Sequence, residues 1–281
     1  MFRINSWQIP FRRFFHLSSS SSGKLENNTA LITGGSRGLG LSIARSLASE
    51  GSNVVLCGRN SSSLQENVSK LPIIHEGQKH AFISCDLSDI EEINKRFTIQ
   101  PKKDSVNLSM ADHLLQKTNI LINCAGVMQT SLLLQTSTDE ISKIVNTNLL
   151  APIVLSQKLS KIMMRPSVRK AAPNRLIVNM SSGLGEIPFK GTSVYGATKS
   201  GLNIFTRTLA SELQRVGIRV NCISPGLIRD TDMGQTDVIR EQLSDISGFG
   251  ICEKKDVVQQ VMNLIQDATV SGKNIPVGFT R

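Results

Sequence analysis

The chain has 281 residues and a mass of 30.7 kDa, and 40% of its residues are hydrophobic. A chain of this length buries one sizeable core, so we expect a single domain, and because no apolar run approaches the roughly 20 residues of a membrane-spanning helix, we expect no integral membrane segment. The five cysteines and four histidines lack metal-ligand spacing, which predicts no metal site. The formal net charge of +10 raises the question of an anionic partner such as nucleic acid.

The first 25 residues differ in composition from the rest of the chain. They contain four basic residues, the serine run Ser18–Ser22 and no acidic residue, since the first carboxylate is Glu26. A basic, serine-rich and acid-poor N-terminus is typical of a mitochondrial transit peptide, with a disordered tail as the alternative. We therefore expect residues 1–25 to be a removable leader to the mitochondrial matrix and residues 26–281 to form the folded domain. The remaining basic charge is interpreted as solvated surface, so we expect no nucleic-acid partner.

From Thr29 onward, short apolar runs alternate with longer helical patterns, which indicates βαβ units around a parallel sheet. The first helix is predicted at Leu39–Glu50, with Gly51 as its C-cap. Residues 98–112 and the basic segment Arg165–Asn174 are predicted to be surface loops. The pattern predicts an α/β fold, a Rossmann-like doubly wound parallel sheet in a single domain. The six predicted strands are Ala30–Thr33, Asn53–Cys57, Ala81–Cys85, Ile120–Cys124, Leu176–Met180 and Arg219–Ile223.

A glycine-rich segment follows the first predicted strand directly and opens the first helix. Glycines at this junction let the backbone approach a pyrophosphate, and the helix N-terminus presents free N–H groups to it. Gly34, Gly38 and Gly40 are the residues that this geometry requires. The alternative is an ordinary turn that uses glycine for positive φ. Because strand, loop and helix occur in the right order, the sequence predicts a dinucleotide site.

Three polar residues in the second half of the chain are candidates for acid–base chemistry. Tyr195 and Lys199 lie four residues apart and so share one face of a helix, while Ser182 follows the fifth predicted strand at the carboxyl edge of the sheet. A tyrosine with a pKa near ~10 is a poor proton donor at neutral pH, so we predict that the Lys199 ammonium lowers the pKa of Tyr195. The alternatives are a structural tyrosine and a solvated lysine.

These elements, in this order, resemble the short-chain dehydrogenase/reductase family over residues 28–280. The resemblance rests on the GxxxGxG spacing of the glycine loop, on Asn123–Gly126 with Cys124 in place of a second Asn, and on the YxxxK pair behind Ser182. It implies that Ser182 holds a carbonyl oxygen, Tyr195 protonates it and Lys199 binds the nicotinamide ribose. Asn148, preferred over the nearby Asn146, is implied to hold the water of a proton relay.

The resemblance also implies the cofactor and its contacts. Members that use NAD carry Asp at the end of the second strand, where this chain has Gly58, and Arg37 and Arg59 can clamp a 2′-phosphate instead. We therefore expect NADPH/NADP, the alternative being that both arginines face water. The residues assigned to the cofactor are Gly34, Ser36, Arg37, Gly38, Leu39, Gly40, Arg59, Asp86, Leu87, Asn123, Ala125, Gly126, Tyr195, Lys199, Pro225, Gly226, Ile228 and Thr231.

Within the family the chain is similar to the 3-oxoacyl-acyl-carrier-protein reductases, in particular fungal mitochondrial members. The passages responsible are Leu121–Gly126, Gly191–Lys199 and Ile223–Leu227. The implied reaction reduces a 3-oxoacyl group on acyl carrier protein to the 3-hydroxyacyl form. Because that carrier is acidic, basic residues near the pocket mouth are expected to steer it. The candidates are Arg165, Arg169, Lys170 and Arg215.

The resemblance implies a homotetramer, but relatives have a final strand where this chain ends in residues 271–281, which puts interface packing at that end in doubt. Two other functions stay open at this point. A general NADPH-dependent reductase of quinones, aldehydes or steroids would keep the chemistry and change the substrate. A noncatalytic scaffold or RNA-binding subunit would keep the fold, and the basic charge is its support.

Overall fold

The computed structural model describes residues 24–98, 108–172, 174–229, 231 and 250–279. The predicted leader therefore lies outside the described residues except for Lys24 and Leu25. Leu25 is buried in the core, and its backbone N–H donates to the carbonyl of Glu50 at 2.9 Å. The packed part of the chain thus includes Leu25. None of the described helices combines the length and the apolar character that a bilayer crossing requires.

The core of the fold is a sheet of seven parallel strands in the order β3-β2-β1-β4-β5-β6-β9, and β7 and β8 form a separate two-stranded parallel pair. The central strands are buried on both faces, as expected for a parallel sheet covered by helices. The strands are β1 Thr29–Thr33, β2 Asn53–Gly58, β3 His80–Ser84, β4 Ile120–Asn123, β5 Arg175–Met180, β6 Ile218–Pro225, β7 Leu227–Ile228, β8 Ile251–Cys252 and β9 Asn274–Val277.

Helices cover both faces of the sheet. One apolar cluster joins the sheet to α1 and α9, and a second joins it to α3, α4 and α6. A π-helical turn, Asn146–Leu150, connects α5 and α6. The helices are α1 Gly38–Ser49, α2 Ser61–Ser69, α3 Ile90–Arg96, α4 Met110–Leu115, α5 Thr138–Val145, α6 Ala151–Met163, α7 Pro166–Ala171, α8 Ser193–Leu213 and α9 Lys254–Gln266.

The prediction of a single Rossmann-like α/β domain is confirmed, and all six predicted strands are present with ends shifted by one or two residues. The predicted helix at Leu39–Glu50 is α1, and Gly51 follows it with a φ of 93°. The expectation that the C-terminus lacks the relatives' final strand is wrong, since β9 pairs with β6. Pro276 hides this strand in the sequence, and it is tolerated because β9 is an edge strand.

The two predicted surface loops contain helices. Arg165–Asn174 includes α7, which begins with Pro166 at the first helical position, where a missing N–H costs no hydrogen bond. In residues 98–112, positions 99–107 lie outside the described residues, and α4 begins at Met110. Its N-terminus is capped by Ser109, whose Oγ accepts from the N–H of Asp112 at 3.2 Å. Short helices of six residues carry too little periodicity to be distinguished from loops.

The strand order indicates where a ligand-binding cleft lies. The chain runs from β1 outward to β2 and β3 and then crosses back to β4 on the other side of β1. Ligands bind in doubly wound sheets at this switch point, beyond the carboxyl ends of the strands. The glycine loop after β1 and the Asn123–Gly126 segment after β4 therefore lie side by side at one edge.

Candidate active site

A cleft of about 310 Å³ runs along the carboxyl edge of the sheet, and it contains Ser182, Tyr195, Lys199 and every predicted cofactor residue except Asn123. The lining comes from the loops after β1, β2, β3, β4, β5 and β6, so residues far apart in sequence meet here. The predicted residues that line it are Gly34, Ser36, Arg37, Gly38, Leu39, Gly40, Arg59, Asp86, Leu87, Ala125, Gly126, Ser182, Tyr195, Lys199, Pro225, Gly226, Ile228 and Thr231.

The glycine loop is packed too closely for side chains at two of its positions. Gly34 has a φ of 68°, and a Cβ placed there would lie 3.0 Å from the Cα of Ala125. A Cβ on Gly40 would lie 2.4 Å from the carbonyl oxygen of Gly34. The N-cap residue of α1, Arg37, makes no side-chain capping hydrogen bond, and the first residues of α1, Gly38–Gly40, line the cleft. This cradle fits the pyrophosphate of a dinucleotide.

The segment after β4 is fixed by hydrogen bonds to β1. The hydroxyl of Thr33 accepts from the N–H groups of Cys124 and Ala125, each at 3.0 Å. Asn123 instead turns into the sheet, where its Nδ2 donates to Asn179 Oδ1 at 2.8 Å, and it is buried. The side chain of Asn123 thus cross-links β4 and β5 and does not line the cleft, and its predicted contact with the cofactor stays a prediction. A sequence motif names the residue but cannot give the direction of the side chain.

Basic side chains gather at the β2 end of the cleft. Arg37, Arg59 and Lys143 line it together with Asp86. Burial opposes ionisation of Asp86, but hydrogen bonds from Ser88 and the nearby charges of Arg59 and Lys143 outweigh burial and hold the pKa of this carboxyl below its usual value. A Cβ on Gly58 would meet nothing nearer than 3.7 Å. This end thus combines positive charge with open space.

Ser182 and Tyr195 meet at the opposite end of the cleft. Ser182 follows β5, and its Oγ accepts from the N–H of Leu184 at 3.2 Å. Burial raises the pKa of Tyr195, while a hydrogen bond with the Ser182 side chain lowers it and only partly compensates. The prediction that Lys199 lowers the pKa of Tyr195 is thus not met in this structure. Burial thus keeps the Tyr195 phenol protonated at neutral pH, so its proton is available, although the raised pKa makes it a weaker acid than free tyrosine.

Lys199 is almost completely buried beside Tyr195. Its Nζ donates to the backbone carbonyl of Met180 at 2.8 Å and lies 5.6 Å from the centroid of the Tyr195 ring. Burial lowers the pKa of Lys199 to about 8, although Cys222 and Cys124 act in the opposite direction. An ammonium with such a pKa can both carry charge and exchange a proton near neutral pH.

Asn148 does not line the cleft but holds the backbone behind it. Its Oδ1 accepts from the N–H of Val127 and its Nδ2 donates to the carbonyl of Val127, both at 2.8 Å. A Cβ on Gly126 would lie 3.4 Å from Asn148 Oδ1 and 3.7 Å from Lys199 Nζ, so the three groups adjoin. Asn146 donates to the carbonyl of Ser88 instead. Asn148 thus adjoins Lys199 across Gly126, and its role in a water relay stays a prediction.

Sequence reasoning missed several residues of the cleft. Around Tyr195, Leu184 and Leu227 form an apolar cluster with the partly buried Met128 and Phe279. Lys143 lies on a helix whose pattern predicts only a solvated charge. These residues come from separate loops and share no motif, so no sequence signal brings them together. They are Val127, Met128, Lys143, Thr147, Leu184 and Leu227.

The four basic residues expected to steer an acidic carrier lie at the wrong edge of the sheet. Arg165, Arg169 and Lys170 precede β5 and Arg215 precedes β6, whereas Ser182 follows β5. Arg165 lines a second cavity, of about 640 Å³, with Thr29 at the start of β1. Proximity in sequence to Ser182 was misleading because a buried strand separates the two edges. The prediction that these residues surround the pocket mouth is wrong.

Comparisons with known proteins identify the family of the chain. The family model described as short chain dehydrogenase matches residues 28–242. Carbonyl reductase family member 4 of Danio rerio is 31% identical over 246 residues, which cover 87% of this chain and 93% of the relative. The 3-oxoacyl-[acyl-carrier-protein] reductase FabG of Chlamydia trachomatis is 35% identical over 214 residues, which cover 75% and 78%. A short chain dehydrogenase from Burkholderia cenocepacia, solved in complex with NADP, has a TM-score of 0.76 and 26% identity and covers 91% of this chain and 98% of its own.

Proposed function

The chain belongs to the short-chain dehydrogenase/reductase family of oxidoreductases, and from this premise we propose that it reduces 3-oxoacyl-[acyl-carrier-protein] to the 3-hydroxyacyl form with NADPH. The observation that carries the proposal is a single cleft with a glycine cradle at one end and Ser182, Tyr195 and Lys199 at the other. The relative named 3-oxoacyl-[acyl-carrier-protein] reductase supports the choice of substrate.

In this mechanism Ser182 binds the substrate carbonyl oxygen and Tyr195 gives it a proton. Bound NADPH supplies the hydride for the carbonyl carbon. The raised pKa of Tyr195 keeps the proton on the phenol until negative charge develops on the carbonyl oxygen. Lys199, with a pKa of about 8, then returns a proton to the phenolate and regains one from solvent, which restores the phenol for the next turnover. Asn148 lies beside Lys199 across Gly126, which supports its role in that relay.

NADPH is proposed over NADH because of the β2 end of the cleft. A carboxylate at position 58 would repel a 2′-phosphate, and this chain has glycine there with open space around it. Arg37 and Arg59 line the same end, and guanidinium groups bind phosphate in a bidentate way.

Acyl carrier protein is the proposed partner, and basic residues at the carboxyl edge are the proposed contacts. Lys190 precedes α8 on the loop that leaves β5, and Arg229 directly follows β7 on the loop that leaves β6. Both side chains are exposed. An acidic carrier bound here needs to extend its acyl group only into the adjacent cleft. The apolar cluster around Leu184, Leu227 and Met128 suits that acyl group.

The compartment and assembly are also proposals. The leader composition supports import into the mitochondrial matrix, with cleavage before Leu25, because Leu25 belongs to the core. A homotetramer is supported by apolar side chains exposed beside the active site. Ile204 on α8 is 57% exposed, and Leu150 in the π-helical turn is 37% exposed. The proposed short-chain dehydrogenase domain therefore begins at Leu25, one residue before the boundary expected from the sequence, and extends to residue 281.

A second candidate function is the general reduction of small carbonyl compounds. It is favoured by the similarity to carbonyl reductase family member 4. The same residues would do the chemistry, and only the substrate would change. Basic residues before β5 and β6, at the amino edge of the sheet, favour a noncatalytic or RNA-binding role. The presence of Ser182, Tyr195 and Lys199 in one cleft argues against that role.

The test is steady-state kinetics of the full chain with NADPH and NADH, on an acetoacetyl carrier protein and on a panel of quinones. We expect the carrier substrate to give the highest kcat/KM, with NADPH preferred. Tyr195→Phe should lower kcat by about 10³-fold while NADPH still binds, because general acid catalysis contributes about 10²- to 10⁴-fold. A faster reaction with quinones would favour the second candidate, and full activity of Tyr195→Phe would refute an enzymatic role for this site.

A further inference from the structure

Gln129 connects the loop after β4 to the helix that carries Tyr195. Its side chain is completely buried, and its Oε1 accepts from the N–H of Val194 at 2.8 Å and from the N–H of Tyr195 at 3.3 Å. Gln129 itself does not line the cleft. A single buried amide oxygen therefore binds the first turn of α8 from a distant part of the chain.

The first turn of α8 requires such an acceptor. The first N–H groups of any helix lack partners within the helix, and a side chain at the N-cap usually supplies one. Here the N-cap residue is Thr192, and its hydroxyl donates to the carbonyl of Phe189 at 2.8 Å instead of capping the helix. Gln129 Oε1 therefore accepts from the N–H groups that an N-cap side chain usually binds.

The other half of the Gln129 amide fixes its orientation. Nε2 donates to the carbonyl of Ser131 at 3.0 Å and to the hydroxyl of Thr136 at 3.1 Å. Thr136 is itself held by Ser131 Oγ at 2.9 Å and by the carbonyl of Leu132 at 3.0 Å. Since Nε2 has both of its hydrogens engaged, Oε1 is left pointing at α8.

We propose that Gln129 is a positioning residue for the reaction: by binding the backbone of Tyr195, it holds the phenol at Ser182. The inference rests on the proposed function, because it takes Tyr195 as the proton donor. Tyr195 and Ser182 line the same cleft, so the backbone bond to Gln129 sets where the phenol stands relative to Ser182. A displacement of about 1 Å in such a group costs up to about 10²-fold in rate.

Gln129→Met tests the proposal, because methionine has a similar length and volume and no acceptor oxygen. We expect kcat to fall about 10- to 100-fold while the KM for NADPH changes less than two-fold. The matched control is Ser137→Ala, which removes a different helix cap, since Ser137 Oγ accepts from the N–H of Glu140 at the start of α5 at 3.2 Å. Ser137→Ala should lower the melting temperature without lowering kcat.

Two further readouts separate positioning from general loss of stability. Hydrogen exchange at the amides of Val194 and Tyr195 should accelerate at least 10-fold in Gln129→Met, relative to amides later in α8. Gln129→Glu retains an acceptor oxygen and should restore both this protection and kcat to within about five-fold of wild type.

A folded Gln129→Met variant with wild-type kcat would overturn the inference, as would an equal fall of kcat in Ser137→Ala. If Gln129→Met does not fold, Gln129→Asn, which retracts the amide by one methylene, should show the same loss of kcat, and wild-type kcat there would overturn the inference. Tyr195→Phe is measured in parallel. An active Tyr195→Phe variant would refute the proposed function, whereas an inactive one beside a fully active Gln129→Met would refute only the role of Gln129.

Discussion

The ammonium of Lys199 donates a 2.8 Å hydrogen bond to the backbone carbonyl of Met180, the last residue of β5. This bond ties the catalytic face of α8 to the strand that delivers Ser182 two residues later. It also holds a charged group in a buried position, where loss of hydration disfavours the charge. The site is therefore built at the expense of stability, and this cost can be measured.

Replacement of this buried charge should make the protein more stable and inactive. Lysine normally has a pKa of 10.5, and burial lowers that of Lys199 to about 8, a difference that corresponds to about 3 kcal/mol. Loss of the bond to Met180 offsets about 1 kcal/mol. We expect unliganded Lys199→Met to be about 2 kcal/mol more stable than wild type at pH 7, by urea unfolding, with no detectable reductase activity.

The difference in stability between Lys199→Met and wild type should depend on pH. Below about pH 8 both the folded and the unfolded protein carry the proton, so the cost of burying the charge is fully present. The cost is lost as the pH rises from about 8 to about 10.5. The stability advantage of Lys199→Met should therefore shrink across this range. A pH-independent advantage would mean that Lys199 is not buried as a charged group.

A single added carboxylate should change the cofactor preference. In Gly58→Asp the new side chain enters open space beside Ser36 and Leu64, whose nearest atoms are 3.7 Å from the added Cβ. We expect the KM for NADPH to rise roughly 100-fold through repulsion of the 2′-phosphate, while NADH becomes the better cofactor. Gly58→Ala is the matched control, since it adds the Cβ without charge and should leave the preference unchanged. An unaltered preference in Gly58→Asp would contradict a phosphate site near Arg59.

A methyl group at Gly40 should disrupt the cradle for the pyrophosphate. The added Cβ would lie 2.4 Å from the carbonyl oxygen of Gly34, closer than van der Waals contact allows. We expect Gly40→Ala to cost about 2 kcal/mol of stability and to weaken NADPH binding at least 10-fold by fluorescence titration. Gly77→Ala serves as the control, because its nearest contact is His75 Nδ1 at 3.8 Å. Normal NADPH affinity in Gly40→Ala would rule out tight packing of this loop against the cofactor.

Charge reversal should distinguish the two edges of the sheet. A Lys190→Glu and Arg229→Glu double variant should lower kcat/KM for the carrier-bound substrate at least 10-fold at low salt, and less at high salt, because surface charges are screened. A small thioester of the same acyl group should react at the wild-type rate. Arg169→Glu with Lys170→Glu, at the amino edge, should change neither rate. The reverse ranking of the two double variants would place the carrier on the opposite edge.

Local patterns in the sequence were enough to determine the architecture. The alternation of apolar runs and helical stripes predicts six of the seven strands of the central sheet, because a strand covered by helices on both faces is mostly apolar. The seventh, Asn274–Val277, is missed because an edge strand tolerates Pro276 and needs little apolar character. The glycine loop is equally visible, since close backbone approach permits no side chain there.

Only the tertiary structure decided where side chains point and what surrounds them. Asn123 belongs to a recognisable motif, yet it turns into the sheet, and the basic residues before β5 lie a strand's length from the site that they adjoin in sequence. The pKa of Tyr195 is raised because many neighbouring atoms bury the phenol. The four-residue spacing between Tyr195 and Lys199 in the sequence gives no sign of this burial. Gln129 has no signal in the sequence, because its partners Val194 and Tyr195 are brought to it by packing alone.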